Sequence, residues 1–212
     1  MTTWVSLLSD IRVDLDDMSG TPKFASALLY LYAKDGIRDY STWFPKRLDR
    51  VHIAFLNGGF ALPSDFISDI QVECPVDTFL QKRVHVGGKR YPTQSTPKFY
   101  YISGGSLYTS GSTTDVYLTY FATHTIPTSE ADATTALSVP SADLELIRLY
   151  VVAKAYGQMR AKQSSLDRFK VGTGTRDDNP VAPEVVSLMD DYHQKVAERL
   201  SGGYIALQRS DR

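Results

Sequence analysis

The chain has 212 residues, 42% of them apolar and 22% charged, with a formal net charge of −1. That balance suits a soluble globular protein with a sizeable core, and it exerts no overall pull toward nucleic acid or an anionic membrane. The single cysteine, Cys74, excludes an internal disulfide; no basic leader precedes an apolar stretch, and the longest apolar run, Ala27 to Ala33, is far too short to span a bilayer.

Trp4, Leu7, Leu8, Ile11 and Leu15 recur at i, i+3, i+4, i+7 and i+11, which predicts a helix over 3–17 closed by Ser19-Gly20-Thr21-Pro22. A second helix pattern covers 23–48, with Phe24, Ala27, Leu28, Leu31 and Tyr32 on one stripe and Ile37, Tyr40 and Phe44 extending it. Gly36 is a weak point in this run, and Pro45 closes or kinks it. The middle has the period of strands. Val51, Ile53 and Phe55 alternate before the turn signal Asn57-Gly58-Gly59, and Phe66 to Glu73 is a second strand. Arg83 to Val86 and Lys89 to Tyr91 flank Gly87-Gly88, and Phe99 to Ile102 and Ser106 to Tyr108 flank Gly104-Gly105, which reads as two hairpins. Asp115 to Ala122 is apolar or amphipathic on both sides, as in a central strand.

After Pro127 and Pro140, Ser141 is placed as an N-cap, with Asp143 and Glu145 in the first turn of a helix that is apolar or small almost all round from Leu144 to Tyr156. Such a helix sits at the centre of a bundle. A glycine-rich loop, Val171 to Pro180, leads to a last helix with Val185, Leu188, Met189, Tyr192, Val196 and Leu200 on one stripe and a stop at Gly202-Gly203. The layout is α+β: a bundle of about four helices with an inserted antiparallel β-rich region and an extended C-terminal tail. Residues 1–50 and 124–203 supply the bundle, 51–123 the insertion and 204–212 the tail.

No cluster of residues is arranged for chemistry. His52, His85, His124 and His193 lie in different segments, so neither a metal nor a cofactor is expected. Gly172-Thr173-Gly174-Thr175 lacks the lysine of a phosphate loop and follows a helix, and Asp14, Asp16 and Asp17 lack calcium-loop spacing and read as a solvated helix end. Cys74 has the setting of a small core residue. A hydrolase built on Asp65 or Asp77 has no motif that places an acid/base pair. One charge pattern stands out. No acid lies between Asp77 and Asp115, whereas Lys82, Arg83, Lys89, Arg90 and Lys98 do. Such a patch meets phosphates or an acidic partner, and equally its lysines guard a sheet edge against aggregation.

Three stretches carry a resemblance. Ile11-Arg12-Val13-Asp14-Leu15-Asp16-Asp17, followed by an amphipathic helix into Asp39-Tyr40-Ser41-Thr42-Trp43-Phe44-Pro45, resembles the start of tailed-phage head–tail connector (adaptor) proteins. Phe60-Ala61-Leu62-Pro63-Ser64-Asp65-Phe66 before a strand, and Ser138-Val139-Pro140 before the helix Leu144 to Met159, are similar to later parts of such proteins. Together they touch most of residues 1–163. Where that pattern has a Trp near the start of the second helix, this chain has Phe24, and Trp43 comes later.

The resemblance implies a non-enzymatic virion protein at the head–tail junction, made in the host cytoplasm. It also implies a ring of about twelve copies beneath the portal protein that offers a platform to the next tail or neck component. Tyr204, Ile205, Ala206 and Leu207, apolar without a local partner, suit a segment that orders on the portal. The basic residues suit non-specific contact with DNA in the channel. The rival reading is a β-rich, tail-associated module that recognises a receptor or glycan through Phe99-Tyr100-Tyr101 and Tyr108.

Overall fold

The computed structural model describes residues 2–18, 20–56, 59–75, 77–83, 97–111, 116–169 and 181–210. Two compact units are present, one formed by Met1–Trp43 with His124–Arg212 and the other by Phe44–Thr123.

The first unit is helical: α1 (Trp4–Asp14), α2 (Ser26–Trp43), a 3-10 turn at Ser141–Asp143, α3 (Leu144–Phe169) and α4 (Val181–Ser210). Thr3 caps α1, and the helix ends where Asp16 takes φ +49°, a left-handed conformation that Asp tolerates better than most residues. Trp4, Leu7, Ile11 and Leu15 are buried as the periodicity predicts, and each fully buried aliphatic side chain contributes about 1.5–3 kcal/mol. The all-round apolar helix α3 is central and packs against α1, α2 and α4.

Five sequence expectations in this unit are corrected. The second helix stops at Trp43 rather than 48, because Pro45 ends it and a strand begins at Lys46. Its buried face is Leu29, Ala33, Gly36, Ile37 and Tyr40, while Ala27 and Leu31 are exposed. Gly36 does not interrupt α2: a Cβ there would lie 3.0 Å from the Tyr150 ring of α3, so the small residues let the two helices approach closely. Ser141 does not cap α3; it lies inside the 3-10 turn, which is preceded by Pro140. Finally, α4 runs through Gly202-Gly203 to Ser210, since glycine disfavours a helix by only about 1 kcal/mol and does not forbid one.

The second unit holds β1 (Lys46–Ile53), β2 (Phe55–Leu56), β3 (Gly59–Ala61), β4 (Phe66–Glu73), β5 (Gln81–Lys82), β6 (Phe99–Ser103), β7 (Ser106–Thr109) and β8 (Val116–Ala122). One sheet has the order β1-β8-β4, with β8 central as its two apolar sides predict, and the other β2-β3-β7-β6-β5. Val72, Leu118, Val116 and Ile53 from the first sheet share a core with Phe60, Tyr100 and Leu107 from the second. Gly104 and Gly105, at φ +57° and +77°, make the tight turn between β6 and β7. The region is not wholly antiparallel: β5 pairs with β6 in parallel. The Gly87-Gly88 hairpin and the glycine-rich loop 171–180 lie outside the described residues, as do Asn57 and Gly58.

Candidate interaction surfaces

Strand register sorts the basic residues of the second unit. Gln81 pairs with Phe99 and Lys82 with Tyr100, so Lys82 shares a face with Tyr100 and Arg83 shares the opposite face with Phe99 and Tyr101. On the first of these faces, Asp69 accepts hydrogen bonds from Lys82 Nζ and from Tyr100 Oη, both at 2.5 Å. Burial pushes the Asp69 carboxyl up, but the bonds from Lys82 and Tyr100 outweigh it and hold the group below its ordinary value. The cation at Lys82 is thus matched by an anion on β4. On the opposite face the Arg83 guanidinium lies 4.3 Å above the Phe99 ring, and Tyr101 stacks on Tyr108 with centroids 5.1 Å apart. Gly59 makes room for that stack, since a Cβ would lie 2.9 Å from Tyr108. Lys98 is exposed at the start of β6, while Lys89 and Arg90 lie outside the described residues.

Asp65 and Asp77 occupy different turns. Asp65 accepts from Tyr120 Oη at 3.0 Å, and burial together with that bond pushes the phenol up to about 12. Asp77 pairs with Arg50 at 2.5 Å. Arg50 and Asp77 both have positive φ and flank Glu73, a carboxylate only 1% exposed that also accepts from the Asp77 amide and Gln71. This constellation closes the turn after β4. Cys74, beside it, is buried in the core. Among the described residues no group of three or more His, Cys, Asp or Glu is arranged to hold a metal ion, and no helix is long and apolar enough to cross a membrane.

At the C-terminal end, Tyr204, Ile205, Ala206 and Leu207 fall within the helical backbone of α4. Just before them α4 is tied to the start of α3. Arg199 Nε lies 3.3 Å from Asp143 Oδ1, Arg199 Nη2 donates to the Ala142 carbonyl at 3.0 Å, and Lys195 pairs with Glu145. Tyr40 Oη donates to the other oxygen of Asp143 at 2.6 Å.

Sequence reasoning missed the partners more than the positions. Asp69, Glu73 and Asp143 look like ordinary exposed acids in one dimension, and no local spacing marks their donors. It also missed Asp17, which is buried rather than solvated. The exposed apolar residues Ile67 and Ile70 are the inserted residues of two irregularities in the β4–β8 pairing, a feature that alternation cannot reveal.

A sequence model of the SU10 adaptor protein family matches residues 2–186, which takes in both units. No curated protein matches the chain.

Proposed function

Because the chain belongs to the SU10 adaptor protein family, we propose that it is a structural subunit of a phage virion that joins the portal ring to the next tail or neck component. In this reading about twelve copies form a ring beneath the portal and no reaction is catalysed. The observation that carries it is the match over residues 2–186, which takes in α1 to α3, the first turn of α4 and the β unit. The surfaces support the same reading. The C-terminal part of α4, through Tyr204 to Leu207, is helical in backbone, and a helix is an element that docks into a groove on a neighbouring protein. Lys82 is engaged by Asp69, which leaves Arg83 and Lys98 among the described residues of the basic stretch for an acidic partner or for DNA in the channel.

Native mass spectrometry of the chain, alone and mixed with its portal protein, tests the assignment. Addition of a ring of copies to the portal is the expected result, and no association removes the portal-linking role. The stacked Tyr101–Tyr108 pair favours one second reading, a face that binds a glycan. A glycan array with the isolated protein decides it: binding that is lost in Tyr101→Ala establishes that role, and an empty array eliminates it.

A further inference from the structure

We propose that Arg199, with Lys195 one turn before it, is a positioning clamp that sets the direction in which the end of α4 leaves the bundle. The inference rests on the reading of that end as the docking element. Across its described side chains, residues 186–201, α4 buries only Tyr192 and Val196. Its polar ties stand beside and beyond these two: Lys195 and Arg199 both reach residues 142–145. Arg199 suits this place because its planar guanidinium reaches two acceptors at once, the Asp143 carboxylate and the Ala142 carbonyl.

Asp143 is itself fixed. Its second oxygen takes the Tyr40 hydroxyl, so α2, the 3-10 turn and α4 meet at one carboxylate. The Asp143 side chain is 18% exposed and that of Arg199 52%, which leaves the anion held and the cation replaceable. Residues 200–210 follow the clamp as helix. At 1.5 Å per residue they make a lever of about 16 Å, and a swing of about 20° at the pivot displaces its far end by roughly 5 Å. Without the clamp the last anchor recedes to Val196 and Tyr192. A segment presented in one direction loses less freedom on docking than one that swings, so the clamp raises affinity without touching the partner.

The test uses the full chain and reads two quantities. Arg199→Ala and Arg199→Lys are both expected to speed amide hydrogen exchange over residues 200–210 by about three- to tenfold, with residues 144–159 of α3 unchanged. Lysine keeps the charge but not the two-acceptor geometry, so rescue by Arg199→Lys overturns the clamp and leaves only an electrostatic role. Exchange over 200–210 that is already at the intrinsic rate in the unaltered chain, or that neither variant moves, also overturns it. Asp143→Asn, which keeps an acceptor for Tyr40, is expected to act in the same direction and guards against a folding defect peculiar to Arg199. The second quantity is affinity for the portal protein. A truncation after Gly203 is expected to abolish binding, and Arg199→Ala to weaken it about three- to tenfold. If the truncation binds normally, the docking reading fails while the exchange data still judge the clamp. If the truncation loses binding and Arg199→Ala binds as tightly as the unaltered chain, the aiming role fails alone.

Discussion

Replacement of Asp17 by Ala is expected to be far more harmful than the same change at Asp14, three residues away. The Asp17 side chain is fully buried, and its carboxylate accepts from Arg12 Nη1 at 2.7 Å, the Lys23 amide at 2.6 Å and the Phe24 amide at 3.2 Å. It therefore joins the end of α1 to the approach to α2. Its removal leaves the Arg12 side chain, 14% exposed, without its anion, and deprives two backbone N–H groups of their acceptor. Arg12 keeps Ser26 Oγ at 2.9 Å and the Phe24 carbonyl at 3.3 Å, which limits the loss. Breaking a buried pair from one side costs about 3–5 kcal/mol. For a chain of this length that corresponds to a fall in Tm of roughly 6–20 °C. Asp14, by contrast, forms its pair with Arg148 near the surface, with the two side chains 29% and 34% exposed, and such a pair contributes about 0–1 kcal/mol. Thermal and urea unfolding followed by circular dichroism, with tryptophan fluorescence reporting on buried Trp4 and exposed Trp43 together, compares the two variants. A loss for Asp17→Ala within about 1 kcal/mol of that for Asp14→Ala would refute the reasoning. Arg12→Met combined with Asp17→Ala should recover part of the stability, because the uncompensated charge is gone.

Tyr192→Phe removes the hydroxyl that donates to Asp39 while keeping the ring edge-on to Tyr150, and is expected to lower stability by about 1–3 kcal/mol in urea unfolding; an unchanged midpoint would show that the bond contributes nothing. Gly36→Val forces branched carbons against the Tyr150 ring, which already stands 3.0 Å from the position of a Cβ, and is expected to cost about 1–3 kcal/mol or more in the same assay; a stabilised protein would mean that α2 and α3 separate freely. The folded-state pKa of Asp69 is depressed, so its contribution is complete above the unfolded carboxylate value of about 3.9 and is lost as pH falls through the folded value. Acid titration of stability should then show a shallower decline below about pH 4 in Asp69→Asn than in the unaltered chain, and parallel curves would contradict the assignment.

Much of the secondary structure was legible because it rests on local periodicity. The stripe Trp4, Leu7, Ile11 and Leu15, the strand Phe66–Glu73, the turn at Gly104-Gly105 and the two-sided character of Val116–Ala122 each follow from side-chain spacing or from a glycine requirement, and each is found in place. The adaptor resemblance, carried by order and spacing along the chain, agrees with the family to which the chain belongs. The limits appear where two faces offer similar apolar content. In α2 the run Ala27 to Ala33 supplies hydrophobic residues all round, and the inner face of Leu29, Ala33, Gly36 and Ile37 was chosen by packing on other helices, with Gly36 set against the Tyr150 ring of α3.

Charged residues were the least legible, for a physical reason. The sequence by itself determined how many carboxylates the chain carries and which stretch is basic. Whether an acid is solvated or buried depends on donors brought from far along the chain. Only the tertiary structure set Asp17 under Arg12 and two backbone amides, Asp69 between Lys82 and Tyr100, and Asp143 between Tyr40 and Arg199. A buried carboxylate is tolerated when several donors converge on it, and that convergence is a property of packing in three dimensions.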